Sequence, residues 1–559
     1  MKNYFIKSAI VFALLLVLNF IADQFFFRWD LTKEKRNSIS ELNIETMKNL
    51  KKIVTVKVYL EGDFPPALER LSNAIRNVLY EMEAYSDGYL HFTFIDPSDN
   101  KALQKQFQEK GFSPIPLNIK EENIEARKYI YPVIVVNYGE KEEWIDIFKN
   151  AYFPNGMANL LKAETDIEYK LVSAIRRIIA EYKPTIGFLT GHNETPLKKM
   201  AELINELKNS YDIYEVNVKY GNSIPPSYLG LPDSLKKKFE GRTGLDVLLI
   251  VQPDSAFSER EKYEIDQYLM MGGKILWILD QNKVILDKQQ TLSQPRHLQL
   301  DDLFFKYGFK INYDLIQDMS CGKIHLVADV NKQGGQFQSL NWIYYPMAVR
   351  FKEHPVTRNL DAVLYRYASS IDTLSRNDLK FTPLILSSPL SRALNGNVLV
   401  DINEHTKPMP QNIFYNKGNK TLGLLIEGKF QSLFQGRDAP TDAFAKDKPT
   451  APFISKNQQK TAMIVLSDGQ LVEKDDHPYV PYMPVDNKTL IQNSIDYLMG
   501  DEAISLVRAK EVEVRKLSKK AGKEHKFYIQ LFNLITPLIF IVIFGMVRFY
   551  WRKKRFEKF

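Results

Sequence analysis

The segment from Ile529 to Val547 constrains this chain more than any other. It is built mostly of Ile, Leu, Phe and Val, and Arg548, Trp551, Arg552, Lys553, Lys554 and Arg555 follow at once. A helix rising about 1.5 Å per residue needs about 20 residues to cross the hydrocarbon core of a bilayer, and this run is close to that length. Basic residues beside Phe549, Tyr550 and Trp551 mark a cytoplasmic interface. The run predicts a transmembrane helix whose C-terminal side faces inward.

The other end of the chain carries a similar signal. Lys2 and Lys7 precede an apolar run from Ala9 to Ala22 that only Asn19 interrupts, and Phe25, Phe26 and Phe27 follow Asp23 and Gln24. No small-x-small cleavage site closes the run, so it reads as an uncleaved signal anchor rather than a cleaved signal peptide. With lysines at one end and the basic cluster at the other, both termini face inward and the residues between lie on the outer face. Those residues need more than one core, because the chain has 559 residues, 45% of them apolar and 25% charged. The net charge of +8 comes with no basic stripe in mid-chain, which speaks against a nucleic-acid interface. Cys321 is the lone cysteine, so no internal disulfide forms.

Between the anchors the pattern is α/β. Ile53 to Leu60 reads as a strand, and Leu68, Leu71, Ile75, Val78, Leu79 and Met82 recur at helical spacing. Tyr89 to Ile95 is a strand, Ser98 to Lys110 a helix closed by Gly111, Tyr131 to Phe148 a hairpin, and Asn159 to Glu181 a long helix. This order is thioredoxin-like, without Cys-x-x-Cys. After Pro184 come strands at Thr185–Thr190, Tyr211–Val218, Asp246–Val251 and Lys274–Asp280, with helices at Pro196–Lys208 and after Ser258. Ser258 and Glu261 form a capping-box pattern. Alternation of this kind predicts a parallel, flavodoxin- or Rossmann-like sheet. Phe309 to Ile316 reads as one further strand, Arg437 to Gln459 as a surface loop, and Ala462 to Ser467 as a buried strand that completes the sheet around a β-rich insertion.

The predicted layout is an anchor at 1–27, a first α/β domain at 28–182 and a second at 183–500. A charged stalk at 501–528, a transmembrane helix at 529–547 and a basic tail at 548–559 follow. Inside the last span, Gln530, Asn533 and Thr536 are costly to expose to lipid and form a candidate membrane-partner face.

Ligands of open parallel sheets bind outside the carboxyl ends of the strands. Here those ends hold Thr190, Gly191, His192, Asn193 and Glu194, then Asp254, then Asp280, which together make the candidate ligand cleft. No Gly-x-Gly-x-x-Gly or Walker loop follows these strands, and no Gly-x-Ser-x-Gly elbow or His-Glu-x-x-His occurs. No cofactor and no metal site is expected. A hydrolase would require Thr190, His192, Glu194 and a loop acid such as Asp254 to converge within hydrogen-bond reach.

Several short stretches, taken in order, carry a family resemblance. They are Arg28-Trp29-Asp30-Leu31-Thr32, Glu61-Gly62-Asp63-Phe64-Pro65, Thr190-Gly191-His192, Asp246 to Val251, Gly272-Gly273-Lys274 and Ser432-Leu433-Phe434-Gln435-Gly436-Arg437. The chain resembles the GldG family, the gliding-motility-associated auxiliary or substrate-binding component of an ABC transporter. The resemblance implies a non-enzymatic subunit that works with a separate ATPase, GldA-like, and a membrane permease, GldF-like. It places the chain in a bacterial inner membrane, with its large domain in the periplasm. The central domain resembles one shared with an intraflagellar transport protein and related to sugar-binding domains, which makes a carbohydrate ligand conceivable. The alternatives are an envelope scaffold that binds other envelope proteins, and an envelope hydrolase.

Overall fold

The computed structural model describes residues 41–98, 100–112, 114–121, 124–148, 156–180, 183–219, 222–224, 244–285, 289–329, 336–358, 360–403, 417–440, 451–473, 485–500 and 526–556. The N-terminal anchor, the exit at Arg28–Thr32 and most of the stalk lie outside these residues. The chain divides into one compact unit up to Lys510 and a second from Glu511 onward.

Two α/β sheets dominate the first unit. The N-terminal one uses α1 (Glu41–Lys48), β1 (Val54–Val58), α2 (Pro66–Ala84), β2 (Leu90–Phe94), α3 (Lys101–Glu109), β3 (Ile115–Glu121), β4 (Ile124–Ile130), β5 (Val133–Tyr138), β6 (Lys141–Asp146) and α4 (Gly156–Ile179). Its four strands run in the order β2-β1-β5-β6, parallel between β1 and β2 and antiparallel elsewhere. Helices α2 and α4 cover one face through Leu71, Ile75, Leu79, Leu171 and Ile175. Phe107 of α3 packs with Tyr59, Tyr131, Val133 and Val135 in a separate cluster. Among the described residues, the β3–β4 hairpin pairs only with itself.

The larger sheet contains β7 (Thr185–Thr190), β8 (Asp212–Asn217), β9 (Val247–Val251) and β10 (Lys274–Ile278), with α5 (Ala201–Leu207) and α6 (Glu259–Met270) between them. Phe309 to Ile316 is not one strand but two, β11 (Phe309–Ile311) and β12 (Asp314–Asp318), which pair with different partners. The break at Asn312 is fixed by its side chain, which donates to Ser370 Oγ at 2.9 Å. Then come β13 (Cys321–Asp329), β14 (Gln336–Ala348), β15 (Arg350–Phe351), β16 (Leu379–Leu386), β17 (Ser391–Asn395), β18 (Thr421–Gly428), β19 (Thr461–Leu466) and α8 (Val485–Leu498), preceded by the short α7 (Asp301–Lys306). The sheet has eight strands in the order β15-β16-β18-β19-β10-β9-β7-β8. Strands β8, β7, β9, β10 and β19 are parallel, and β18, β16 and β15 extend them antiparallel.

Every residue of β9 is buried, because the sheet is covered on both faces. Leu248 and Ile250 face one core with α6, while Val247, Leu249 and Val251 face the other with α5 and α8. Each such side chain contributes about 1.5–3 kcal/mol by leaving water.

Helix α6 is unusual in composition for a core element. Eleven of its twelve residues are buried, among them Lys262, Glu264, Asp266 and Gln267. Charges survive there only if partnered. Asp266 accepts from Ser432 Oγ (2.6 Å), Gln267 Nε2 (2.8 Å), Tyr307 Oη (2.9 Å) and the Leu433 amide (2.9 Å). Phe434 adds an edge-on contact to Tyr263. The Ser432–Arg437 stretch is therefore a clamp on α6. The expected surface loop at 437–459 is corrected in its second half: the Ile454 amide donates to Gln267, and the Asn457 side chain caps Leu269 and Met270 carbonyls. The helix stops at Gly272 (φ +91°), and Gly273 lies where a Cβ would sit 2.5 Å from the Tyr268 ring.

The second unit is described by α9 (Lys526–Phe556), which contains Leu531–Lys554, long and apolar enough to cross a membrane. Thr536 Oγ1 donates to the Phe532 carbonyl at 2.7 Å. Its hydroxyl is thus satisfied within the helix, one residue before Pro537, where a backbone donor is missing. Asn533 is exposed on α9, and the Gln530 side chain lies outside the described residues.

Replacing Asp266 by Ala strands three buried donors from other elements. It is expected to cost roughly 3–5 kcal/mol in a denaturant titration, whereas Asp266→Asn, which keeps one acceptor oxygen, costs less.

Candidate functional site

At the carboxyl end of the sheet, the loops after β7 and β9 are stitched together. The Asp254 amide donates to the His192 carbonyl (2.8 Å), and the Thr195 amide reaches the Val251 carbonyl (3.3 Å). Asn193 (φ +58°) and Gln252 (φ +48°) hold left-handed backbone there, and Gly191 (φ +116°) supplies a conformation that L side chains avoid.

His192 is fully buried. Its ring stacks on Phe257 with centroids 3.8 Å apart. Nδ1 lies 3.4 Å from Glu194 Oε1, and Nε2 lies 3.2 Å from Glu261 Oε2. Glu261 is at the same time the capping-box carboxylate of α6 and accepts the Ser258 amide at 2.7 Å. Burial alone lowers the proton affinity of His192, but the two flanking carboxylates outweigh it and the net shift is upward. Burial raises Glu261, yet the His192 ring and the Ser258 bonds outweigh it and bring the carboxyl down to about 2. The two shifts describe one interaction from its two ends.

A second acidic cluster lies alongside. Asp280 is buried and accepts from Gln252 Nε2 (2.7 Å) and the Gly469 amide (2.6 Å), with Arg296 Nη2 at 3.5 Å. Arg296 also pairs with Asp254, and so does Lys283 at 2.6 Å. Asp468 accepts the Arg366 and Gln470 amides at 2.5 and 2.8 Å. Burial pushes both Asp280 and Asp468 upward, and the charge of Asp280 adds to the shift of Asp468.

The candidate cleft residues thus divide. Thr190, Gly191, Asn193 and Glu194 line a crevice of about 340 Å³ beside Glu215 and Met200. His192 is sealed beneath it, Asp280 is buried, and Asp254 is held by two cations. Thr190 and Asp254 make no side-chain bond to His192 among the described residues, so the convergence that a hydrolase requires is not formed. Among those residues, no group of three or more His, Cys, Asp or Glu could hold a metal ion. Phe257, Glu261, Arg296, Asp468 and Gly469 escaped the sequence reading. The capping box locates Glu261, but only as a helix start.

Residues 183–494 match the family model described as an ABC-type uncharacterized transport system. The chain belongs to that family. Membership in this ABC-type transport family supports a transport-associated accessory role, with transporter components as partners. Residues 33–137 match a second model, described as a domain of unknown function. An uncharacterized protein of Borreliella burgdorferi is 24% identical over 543 residues, 94% of each chain. The solved mmIFT52 N-terminal domain is similar at 11% identity, covering 56% of this chain and 97% of that one, with a TM-score of 0.30, a likeness that carries no argument.

The raised His192 affinity sets a pH dependence. Its stabilising contribution is fully present below about pH 6.5, the unfolded value, and is lost as pH rises through the elevated folded value. The melting-temperature gap between the native protein and His192→Gln is expected to be widest below pH 6.5 and to narrow toward pH 9, read by calorimetry.

Proposed function

We propose that the chain is a non-enzymatic, GldG-type extracytoplasmic subunit of an ABC transporter complex that serves gliding motility. The observation that carries this reading is the transport-family match over 183–494, on a chain whose α9 is long and apolar enough to cross a bilayer. Anchors at 1–27 and 529–547 hold it in a bacterial inner membrane, both termini cytoplasmic. Residues 28–182 form a thioredoxin-like domain and 183–500 a flavodoxin-like domain in the periplasm. The spatial order of the parallel strands supports the second assignment: numbered by sequence they run 2-1-3-4-5.

A GldA-like ATPase supplies the hydrolysis and a GldF-like permease the path through the membrane. The ectodomain binds a ligand or partner for transport. The switch point of its large sheet offers a crevice above His192, not an anion cradle, because Glu194 and Glu261 already fill the anionic positions at the start of α6.

The test is affinity purification of the full-length protein in mild detergent, beside a variant whose Ile529–Val547 span is replaced by an unrelated apolar helix. An ABC ATPase and a permease are expected to co-purify with the native chain and to be lost, at least tenfold, from the variant. Recovery of the native chain alone, or with envelope proteins only, contradicts the proposal and favours a carbohydrate-binding or scaffold role.

A further inference from the structure

We infer that the outer edge of β6 is a docking site for an extended peptide segment of a partner protein, which adds to the first sheet as a fifth strand. The inference rests on the geometry of β6 and is independent of the transporter reading.

Strand β6 is an edge of its sheet. It pairs Glu143 with Val136 and Ile145 with Ile134. The Ile147 amide donates to the Pro132 carbonyl at 2.9 Å, and the Tyr59 amide to Val133 at 2.9 Å on the other side of β5. Antiparallel pairing alternates, so Lys141, Glu143 and Ile145 turn their backbone groups toward β5, while Glu142, Trp144 and Asp146 turn theirs outward. Lys170 Nζ takes the Asp146 carbonyl at 3.2 Å. The outward main-chain groups of Glu142 and Trp144 have no partner among the described residues.

That edge opens on a cleft of about 670 Å³, and Glu142 to Asp146 line it without a gap. Successive side chains of a strand point to opposite faces. A cavity that touches five in a row must run along the backbone edge. Asn209, Ser210 and Gln492 line the same cleft from the larger domain. Ser173 of α4 also lines it, at 3% exposure, and its Oγ has no hydrogen-bond partner among the described residues. Several polar groups of the cleft are engaged: Arg177 holds Glu143 at 2.8 Å, Lys170 takes the Asp146 and Ile147 carbonyls, and Tyr211 donates to Asp496. What remains open is main-chain hydrogen-bonding capacity, which an extended peptide backbone matches, and the Glu142 carboxylate, which accepts Trp144 Nε1 at 3.3 Å.

Side chains define the segment further. Glu142 and Trp144 share a face, and Trp144 stacks on Phe112 with centroids 5.8 Å apart. Cross-strand neighbours favour opposite charge and aromatic or β-branched pairs. The segment therefore places Lys or Arg beside Glu142 and, two residues away, a β-branched or aromatic residue beside Trp144. With Glu142, Glu143 and Asp146 against one lysine, β6 repels its own copy, which disfavours self-pairing at this edge.

The probe is an eight-residue peptide with threonine on one face and lysine and valine in turn on the other. It is added at millimolar concentration to the full-length protein in detergent micelles, and amide hydrogen exchange is followed. Protection of the Glu142 and Trp144 amides is expected. Of two peptides N-methylated at alternate residues, one is expected to bind at least tenfold more weakly and the other nearly as well as the parent. Glu142→Pro is expected to weaken binding at least tenfold, since its N–H points outward and no ladder bond is lost. No protection, equal binding of the two methylated peptides, undiminished binding to Glu142→Pro, or protection by cellohexaose but not by the peptide overturns the inference.

Discussion

Glu194 and Glu261 share the interior at the carboxyl end of the large sheet because His192 lies between them. Without a cation, two carboxylates out of water would have to take up protons or open the site to solvent. The imidazole also stacks on Phe257, at the entry to α6, so one buried side chain joins the loop after β7 to the helix after β9. Those two loops flank the point where the strand order reverses, which is where open parallel sheets receive ligands. In this chain His192 is buried there, and Thr190, Gly191, Asn193 and Glu194 line the crevice that stays open. The same logic extends to Asp280, which Gln252, Gly469 and Arg296 bind to three separate loops.

Burial on both faces explains why so much of the large sheet was legible. Strands β9 and β10 read as apolar runs because alternate residues serve two different cores. The capping box at Ser258 and the stop at Gly272 fixed both ends of α6 from local chemistry. What local chemistry could not supply was the identity of the partners. Nothing near Asp266 in sequence announces that Ser432 and Leu433 bind it, so a clamp read as a family signature, and its continuation through Asn457 read as a loop. The β3–β4 hairpin escaped because Glu121 to Ile124 carries no Gly, Asn-Gly or Pro signal.

The candidate site was legible in position and not in state. His192 and Glu194 follow β7, as the topological rule requires. Whether a polar loop is open or closed depends on Phe257, Glu261 and Arg296, which arrive from other crossovers. Burial raises the Cys321 thiol, with the Asp318 charge adding to the shift.

The buried His192 imidazole lies between two carboxylates that raise its proton affinity. Its most direct measurement is a pH titration of selectively ¹⁵N-histidine-labelled full-length protein by NMR, with His192→Gln assigning the signal. A His192 midpoint above 6.5 is expected, because the carboxylates outweigh burial. A midpoint at or below 6.5 would mean that burial dominates and that His192 does not join the two carboxylates as a cation.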